Sequence, residues 1–174
     1  MVTRIESHLP RTPTGKLPPQ PWMTAPEIQS IIAALTAKGA EVRFVGGCVR
    51  DAIRKLDTTD IDIATPDRPE VVIGLLEDKG IKAIPTGLSH GTVSVVSGVW
   101  NTDITTLRVD LQTDGRHAKV AFTDDWIADA ARRDFTINTL SSTIDGDVYD
   151  PFSGMDDLAK GRVKFVGNAQ DRIE

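Results

Sequence analysis

The chain has 174 residues, 20 basic and 25 acidic, for a formal charge of −5, and 40% of it is apolar. That supports one ordinary core rather than two generous domains, and a mixed charged fraction of 26% argues against global disorder. No apolar run reaches the ~20 residues of a membrane span, a single cysteine excludes a disulfide framework, and the acidic balance does not suit an autonomous, basic nucleic-acid binder. The N-terminus lacks the apolar stretch of a secretory signal, which gives a cytoplasmic expectation.

Residues 1–21 hold five of the ten prolines, so residues 1–23 read as a flexible or loosely docked tail and residues 24–174 as the ordered unit. Thr24-Ala-Pro-Glu27 fits a capping box, and Ile28, Ile31, Ile32 and Leu35 follow at helical spacing up to Gly39. Glu41–Val45 alternates like a half-buried strand, runs into Gly46-Gly47 and leads to a short helix from Cys48 to about Lys55. Ile61 and Ile63 alternate with Asp60 and Asp62 on the next strand, and Val71, Val72, Leu75 and Leu76 form a helical stripe over Pro69–Lys79. Extended segments are predicted at Ile81–Ile84, Gly91–Val96 and Trp100–Thr106, a mobile loop over Asp110–Thr123 and a largely helical stretch from Asp125 to Leu140. A turn at Asp145-Gly-Asp147, a short helix over Met155–Lys160 and a strand over Arg162–Val166 complete the chain. Interleaved strands and helices indicate an α/β (or α+β) class with one sheet.

Four clusters carry chemistry. On a strand, Asp60 and Asp62 project from one face; two ionised carboxylates side by side repel unless a cation neutralises them, and hard oxygen ligands suit magnesium. An isolated Asp-x-Asp more often marks a solvated strand end. Gly46-Gly47 lets a phosphate approach the main chain before a helix N-terminus, where Arg50 can fork onto phosphate oxygens. Asp103, on the Trp100–Thr106 strand, completes a three-carboxylate site if that strand lies beside the one bearing Asp60 and Asp62; otherwise it is an exposed polar residue. In Arg132-Arg-Asp-Phe-Thr-Ile-Asn138, a helix would bring Asp134 and Asn138 onto one face, and the arginines suit a triphosphate; taken alone the run more often marks an ordinary amphipathic helix laced with salt bridges.

Together these residues resemble a family. Val45-Gly-Gly-Cys-Val-Arg-Asp51 followed by Asp60-Ile-Asp-Ile-Ala-Thr65 resembles the first motif of class II tRNA nucleotidyltransferases (CCA-adding enzymes) and bacterial poly(A) polymerases. Arg132–Asn138 resembles their ribose-contacting motif and Asp150-Pro-Phe-Ser-Gly-Met-Asp-Asp-Leu158 the hinge after it. Thr86-Gly-Leu-Ser-His-Gly-Thr92 and Thr105-Thr-Leu-Arg-Val-Asp110 also fit. The resemblance implies a DNA polymerase β-like nucleotidyltransferase fold, a small mixed sheet flanked by helices. It implies that Asp60, Asp62 and Asp103 hold Mg2+, that Gly46, Gly47 and Arg50 hold the triphosphate of CTP or ATP, and that Arg133, Asp134 and Asn138 meet its phosphates and ribose. Two departures stand out: Lys55 replaces a glycine that often ends the short helix, and Thr139 replaces a common alanine.

The activity so implied is attack of a tRNA 3′-hydroxyl on the α-phosphate of CTP or ATP with release of pyrophosphate. Poly(A) addition uses the same head motifs, and a non-catalytic nucleotide- or RNA-binding module is the alternative of a different class. Family members continue into neck, body and tail domains, and a neck motif reads the base, so the 174 residues are expected to be a fragment with little choice between CTP and ATP.

Overall fold

The computed structural model describes residues 9–111 and 119–167. Its elements in chain order are β1 (Gly15–Lys16), α1 (Pro21–Thr24), α2 (Pro26–Thr36), β2 (Arg43–Val45), α3 (Gly47–Ile53), β3 (Asp60–Thr65), α4 (Pro69–Glu77), β4 (Ile84–Gly87), β5 (Thr92–Ser97), β6 (Trp100–Thr106), β7 (Arg108–Leu111), β8 (Lys119–Phe122), α5 (Trp126–Ala131), β9 (Ser141–Ser142), β10 (Asp147–Tyr149) and α6 (Gly154–Ala159). Eight strands form one mixed sheet in the order β1-β10-β9-β2-β3-β6-β5-β4, and β7 and β8 pair separately. Helix α4 and the β4–β5 hairpin carry the chain between β3 and β6, which therefore run parallel, with Asp62 directly opposite Asp103. The other pairings in this sheet are antiparallel. No helix among the described residues is long and apolar enough to cross a membrane.

Alternation along the central strands sorts the two faces of the sheet. Phe44, Ile61, Ile63, Val93, Val95 and Ile104 are buried against Ile28, Ile31 and Leu35 of α2 and Val72 and Leu76 of α4, which is why the 3.6-residue stripes of those helices exist. The opposite face carries Asp60, Asp62, Asn101 and Asp103, all exposed. Farther along that face Arg43 is buried, its guanidinium 4.2 Å from the ring centre of Trp126 and 3.5 Å from that of Tyr149. Glu41 accepts two hydrogen bonds from it, at 2.9 and 2.7 Å. The arginine thus ties α5 and β10 to β2 through stacking on two aromatic faces.

The structure departs from several expectations. Residues 9–23, read from their prolines as a flexible or loosely docked tail, pack onto the domain: β1 extends the sheet along β10, Leu17 and Met23 are buried, and Trp22 meets Phe44 edge-on at 4.6 Å. Residues 1–8 lie outside the described residues. The capping box does not form, because Ala25 is the N-cap of α2 and Thr24 Oγ1 donates instead to the Pro21 carbonyl at the start of α1. The strand predicted at Ile81–Ile84 begins only at Ile84. The loop predicted over Asp110–Thr123 is entered and left through the β7–β8 hairpin, and residues 112–118 lie outside the described residues. The helix predicted to reach Leu140 stops at Ala131. Phe135 there turns extended, bridges to Phe165 and stacks on it at 5.0 Å. That bridge is what the Arg162–Val166 segment forms in place of a strand.

Candidate active site

The site is built at the ends of β2 and β3. β2 runs out at Gly46, whose φ of +71° and ψ of −136° suit glycine alone. A Cβ there would stand 3.4 Å from Arg133 Nη1 and 3.9 Å from Asp62 Oδ2, so the absence of a side chain keeps this corner open between a carboxylate and a guanidinium. Helix α3 starts immediately after, with no side chain capping its first N–H groups. Arg50 on that helix is held from both sides: its Nε donates to Asp51 Oδ1 at 3.0 Å and its Nη1 to Asn138 Oδ1 at 2.8 Å. Asn138 Nδ2 in turn donates to Asp134 Oδ1 at 3.2 Å. Asp134 and Asn138 meet as predicted, through an extended turn and a 3-10 turn (Thr136–Asn138) rather than one continuous helix.

Asp62 lies above the usual carboxylate range. Although Asp62 as a residue is exposed, its carboxylate is partly enclosed, and that enclosure, followed by the neighbouring Asp103 carboxylate, raises its pKa; Arg133 pulls it back and Asp60 adds to the rise. The carboxylates therefore sense one another, and a positive charge is what this cluster lacks. The three acids share a face without converging. Asp103 Oδ1 accepts a 2.5 Å hydrogen bond from Ser94, itself 2.7 Å from Thr86 Oγ1, and Asp60 Oδ1 accepts from Asn101 at 3.3 Å. Among the described residues no three acidic, histidine or cysteine side chains stand ready as a closed metal cage. Their hard oxygen donors fit a hard divalent cation. Asp134 lies below the usual carboxylate range: slight burial opposes this, but donation from Asn138 and from the Phe135 N–H outweighs it. Cys48, buried at the start of α3, is pushed up to about 12 by burial and is no nucleophile near neutral pH.

Residues 42–164 match the family model described as the Poly A polymerase head domain. The chain belongs to this head-domain family. It is 45% identical over 135 residues to the CCA tRNA nucleotidyltransferase 1, mitochondrial, of Danio rerio, covering 77% of this chain and 31% of that protein. It is 44% identical over 145 residues to the CCA-adding enzyme of Oceanobacillus iheyensis, covering 82% of this chain and 35% of that one. A crystal structure of the Bacillus stearothermophilus CCA-adding enzyme in complex with CTP superposes with a TM-score of 0.73 at 34% identity, over 86% of this chain and 36% of that one. The chain thus spans about a third of the length of the curated relatives it matches, and its fold is the nucleotidyltransferase fold of the CCA-adding enzymes.

The structure also sets beside this site residues that motif reading passed over. Asp129 of α5 is buried; it accepts the Arg108 backbone N–H at 3.0 Å and pairs with Arg133 at 3.6 Å, which fixes Arg133 beside Gly46. An acid one helical turn before an arginine looks like any i,i+4 pair in sequence, so only its burial reveals it. Ser94, which donates to Asp103, sits on β5 and gave no signal. Arg132 and Arg133 separate: Arg133 faces Gly46, whereas Arg132 Nε lies 3.5 Å from Asp110. Of Lys55, the departure at the end of α3, the structure shows a left-handed backbone with φ of +60°.

Proposed function

We propose that this chain is the catalytic head of a template-independent RNA nucleotidyltransferase, transferring CMP or AMP from CTP or ATP to the 3′ end of tRNA with release of pyrophosphate. The observation that carries the reading is the parallel register of β3 and β6, which sets Asp62 beside Asp103 on one face with Gly46 and Arg133 adjoining. The names of the relatives, CCA-adding enzymes, support tRNA as the acceptor.

In this reading Asp60, Asp62 and Asp103 hold Mg2+. Bound there, magnesium would act as a Lewis acid that lowers the pKa of the attacking hydroxyl and offsets charge on the leaving pyrophosphate. The chain's own groups bind and orient. Gly46 and Gly47 admit the triphosphate to the main chain, Arg50 and Arg133 neutralise it from two sides, and Asp134 and Asn138 accept from and donate to the ribose hydroxyls. All of these touch phosphate, metal or sugar, which CTP and ATP share, so the head does not choose the base. The description of the family as a poly(A) polymerase head favours AMP addition to RNA as the second reading.

A gel assay separates them: tRNA lacking its CCA end and an oligo(A) primer are each incubated with CTP or ATP, with and without magnesium. Magnesium-dependent extension of the tRNA in preference to oligo(A) supports CCA addition, and extension of oligo(A) in preference to the tRNA, with either nucleotide, supports the second reading. A chain that neither extends an RNA nor binds nucleotide in magnesium refutes both.

A further inference from the structure

Asp103 is exposed, yet its carboxylate is held. Asp62 faces it from β3 and Ser94 from β5, each in direct register. The core side of β5 takes Val93 and Val95, so alternation turns Ser94 to the carboxylate face. Its hydroxyl donates to Asp103 Oδ1 at 2.5 Å, the short separation of a charge-assisted bond. No other hydrogen bond or ion pair reaches that carboxylate among the described residues.

A second hydroxyl orients the first. Thr86 Oγ1 lies 2.7 Å from Ser94 Oγ. Ser94 has one proton and an ionised carboxylate only accepts, so that proton goes to Asp103 and Thr86 donates to Ser94. Bonds that point the same way strengthen one another. Regular pairing would set Thr86 opposite Thr92. Instead, between the pairs Ile84↔Ser94 and Gly87↔Thr92, three residue steps on β4 face two on β5. The bulge takes Thr86 out of that pairing, and its hydroxyl meets Ser94. Thr92, on the same face of β5, has an ordinary cross-strand partner in Thr105, at 3.1 Å, and bonds to no acid among the described residues. Asp62 and Asp103 repel, so an unrestrained Asp103 would turn away into solvent, and a cation would have to order it on binding. We propose that Ser94, oriented by Thr86, is a positioning residue that confines Asp103 to one arrangement before a cation arrives, with Oδ1 engaged and Oδ2 left for the metal. This deepens the function proposed above and rests on its assignment of Asp103 to Mg2+.

The test uses the full 174-residue chain with Mn2+ as the probe, a hard cation that shares the octahedral oxygen coordination of Mg2+. Free Mn2+ is followed by EPR in the absence of nucleotide, CTP is titrated by calorimetry in magnesium, and thermal melts check each fold. Ser94→Ala should weaken Mn2+ binding about tenfold, the low end of what losing a hydrogen-bond partner of a metal ligand costs. Ser94→Thr restores the hydroxyl and should return to within about threefold of the wild type. Thr86→Val, at an exposed position, should give a smaller loss of the same sign, and Thr92→Val should leave Mn2+ affinity unchanged whatever its melting temperature. Adding Ser94→Ala to Asp103→Asn should change nothing further, because the two side chains act as one unit. Mn2+ binding in Ser94→Ala that equals the wild type overturns the proposal. Tighter binding does so too, by making Ser94 a competitor for the carboxylate. An equal loss in Thr92→Val, an unaffected Thr86→Val, or a further loss on top of Asp103→Asn also overturns it. A wild type that binds CTP in magnesium but no Mn2+ alone overturns this inference and leaves the functional reading, whereas one that binds neither removes both.

Discussion

Lys55 offers a measurement whose size follows from the backbone. Helix α3 ends in a Schellman motif: Leu56 N–H donates to Asp51 O at 2.8 Å and Lys55 N–H to Ala52 O at 3.0 Å, with Lys55 in the left-handed region. A residue with a Cβ is disfavoured there by about 1–2 kcal/mol, and glycine gives back about 0.5–1 kcal/mol through its greater freedom when unfolded. Lys55 is exposed, so packing adds little, but its charge near a helix C-terminus is worth about 0.3–1 kcal/mol. Comparing Lys55→Gly with Lys55→Ala cancels the charge, since both remove it. The glycine variant should then be more stable than the alanine variant by about 0.5–1 kcal/mol, or roughly 1–4 °C in Tm for a chain of this size. Urea titration and calorimetry of both proteins measure it. Equal stabilities, or an alanine variant that melts higher, would refute the left-handed assignment.

The remaining expectations concern the site. Asp62→Asn should abolish nucleotide transfer while raising the melting temperature of the metal-free protein at neutral pH. Because the folded chain holds the Asp62 proton more tightly than the unfolded chain does, wild-type stability should fall as pH rises through the native pKa of Asp62, and melts in EDTA across pH should show that component missing in the variant. Arg50→Ala should raise the KM for nucleotide by about 1.5–3 kcal/mol in free-energy terms, the worth of a hydrogen bond to a charged group; an unchanged KM would leave Arg50 as a brace for Asp51 and Asn138. Asp103→Asn should lower kcat more than nucleotide affinity in single-turnover assays, and wild-type turnover would return Asp103 to its partnership with Ser94.

The legible parts of the fold were those with a strong local period. β6 occupies the span its alternation indicated, Trp100–Thr106, and α2 follows from the spacing of Ile28, Ile31, Ile32 and Leu35. Features set by distant partners were not legible. The proline-rich segment docks because β10 offers an edge and Phe44 offers a ring, neither of which local sequence records. The apolar positions after Arg133 continue a helical rhythm, yet Phe135 turns extended to reach Phe165. In the site, Gly46, Asp60 and Asp62 are adjacent enough to read directly. The pairing of Asp62 with Asp103 and the burial of Asp129 are products of the sheet, so residue type alone could not supply them.

The clamp on Arg43 has a bearing on how the chain is made. β2 is flanked by β3, which follows it closely, and by β9, which lies almost one hundred residues later, and the guanidinium it carries rests on Trp126 and Tyr149. At about 5–20 residues per second of synthesis, one side of β2 stays unpaired for roughly 5–20 s after it emerges. During that interval the nascent chain already contains all three acids but presents an open strand edge and an unstacked arginine. The positive charge of Arg43 discourages that edge from pairing with another copy, and the same side chain becomes the rivet once Tyr149 arrives. β1, synthesised first, docks only after β10 exists to receive it. A product halted before Ser141 would therefore keep Asp60, Asp62 and Asp103 yet expose the side of β2 that β9 normally covers, and its expected fate is aggregation rather than a weakened form of the native fold.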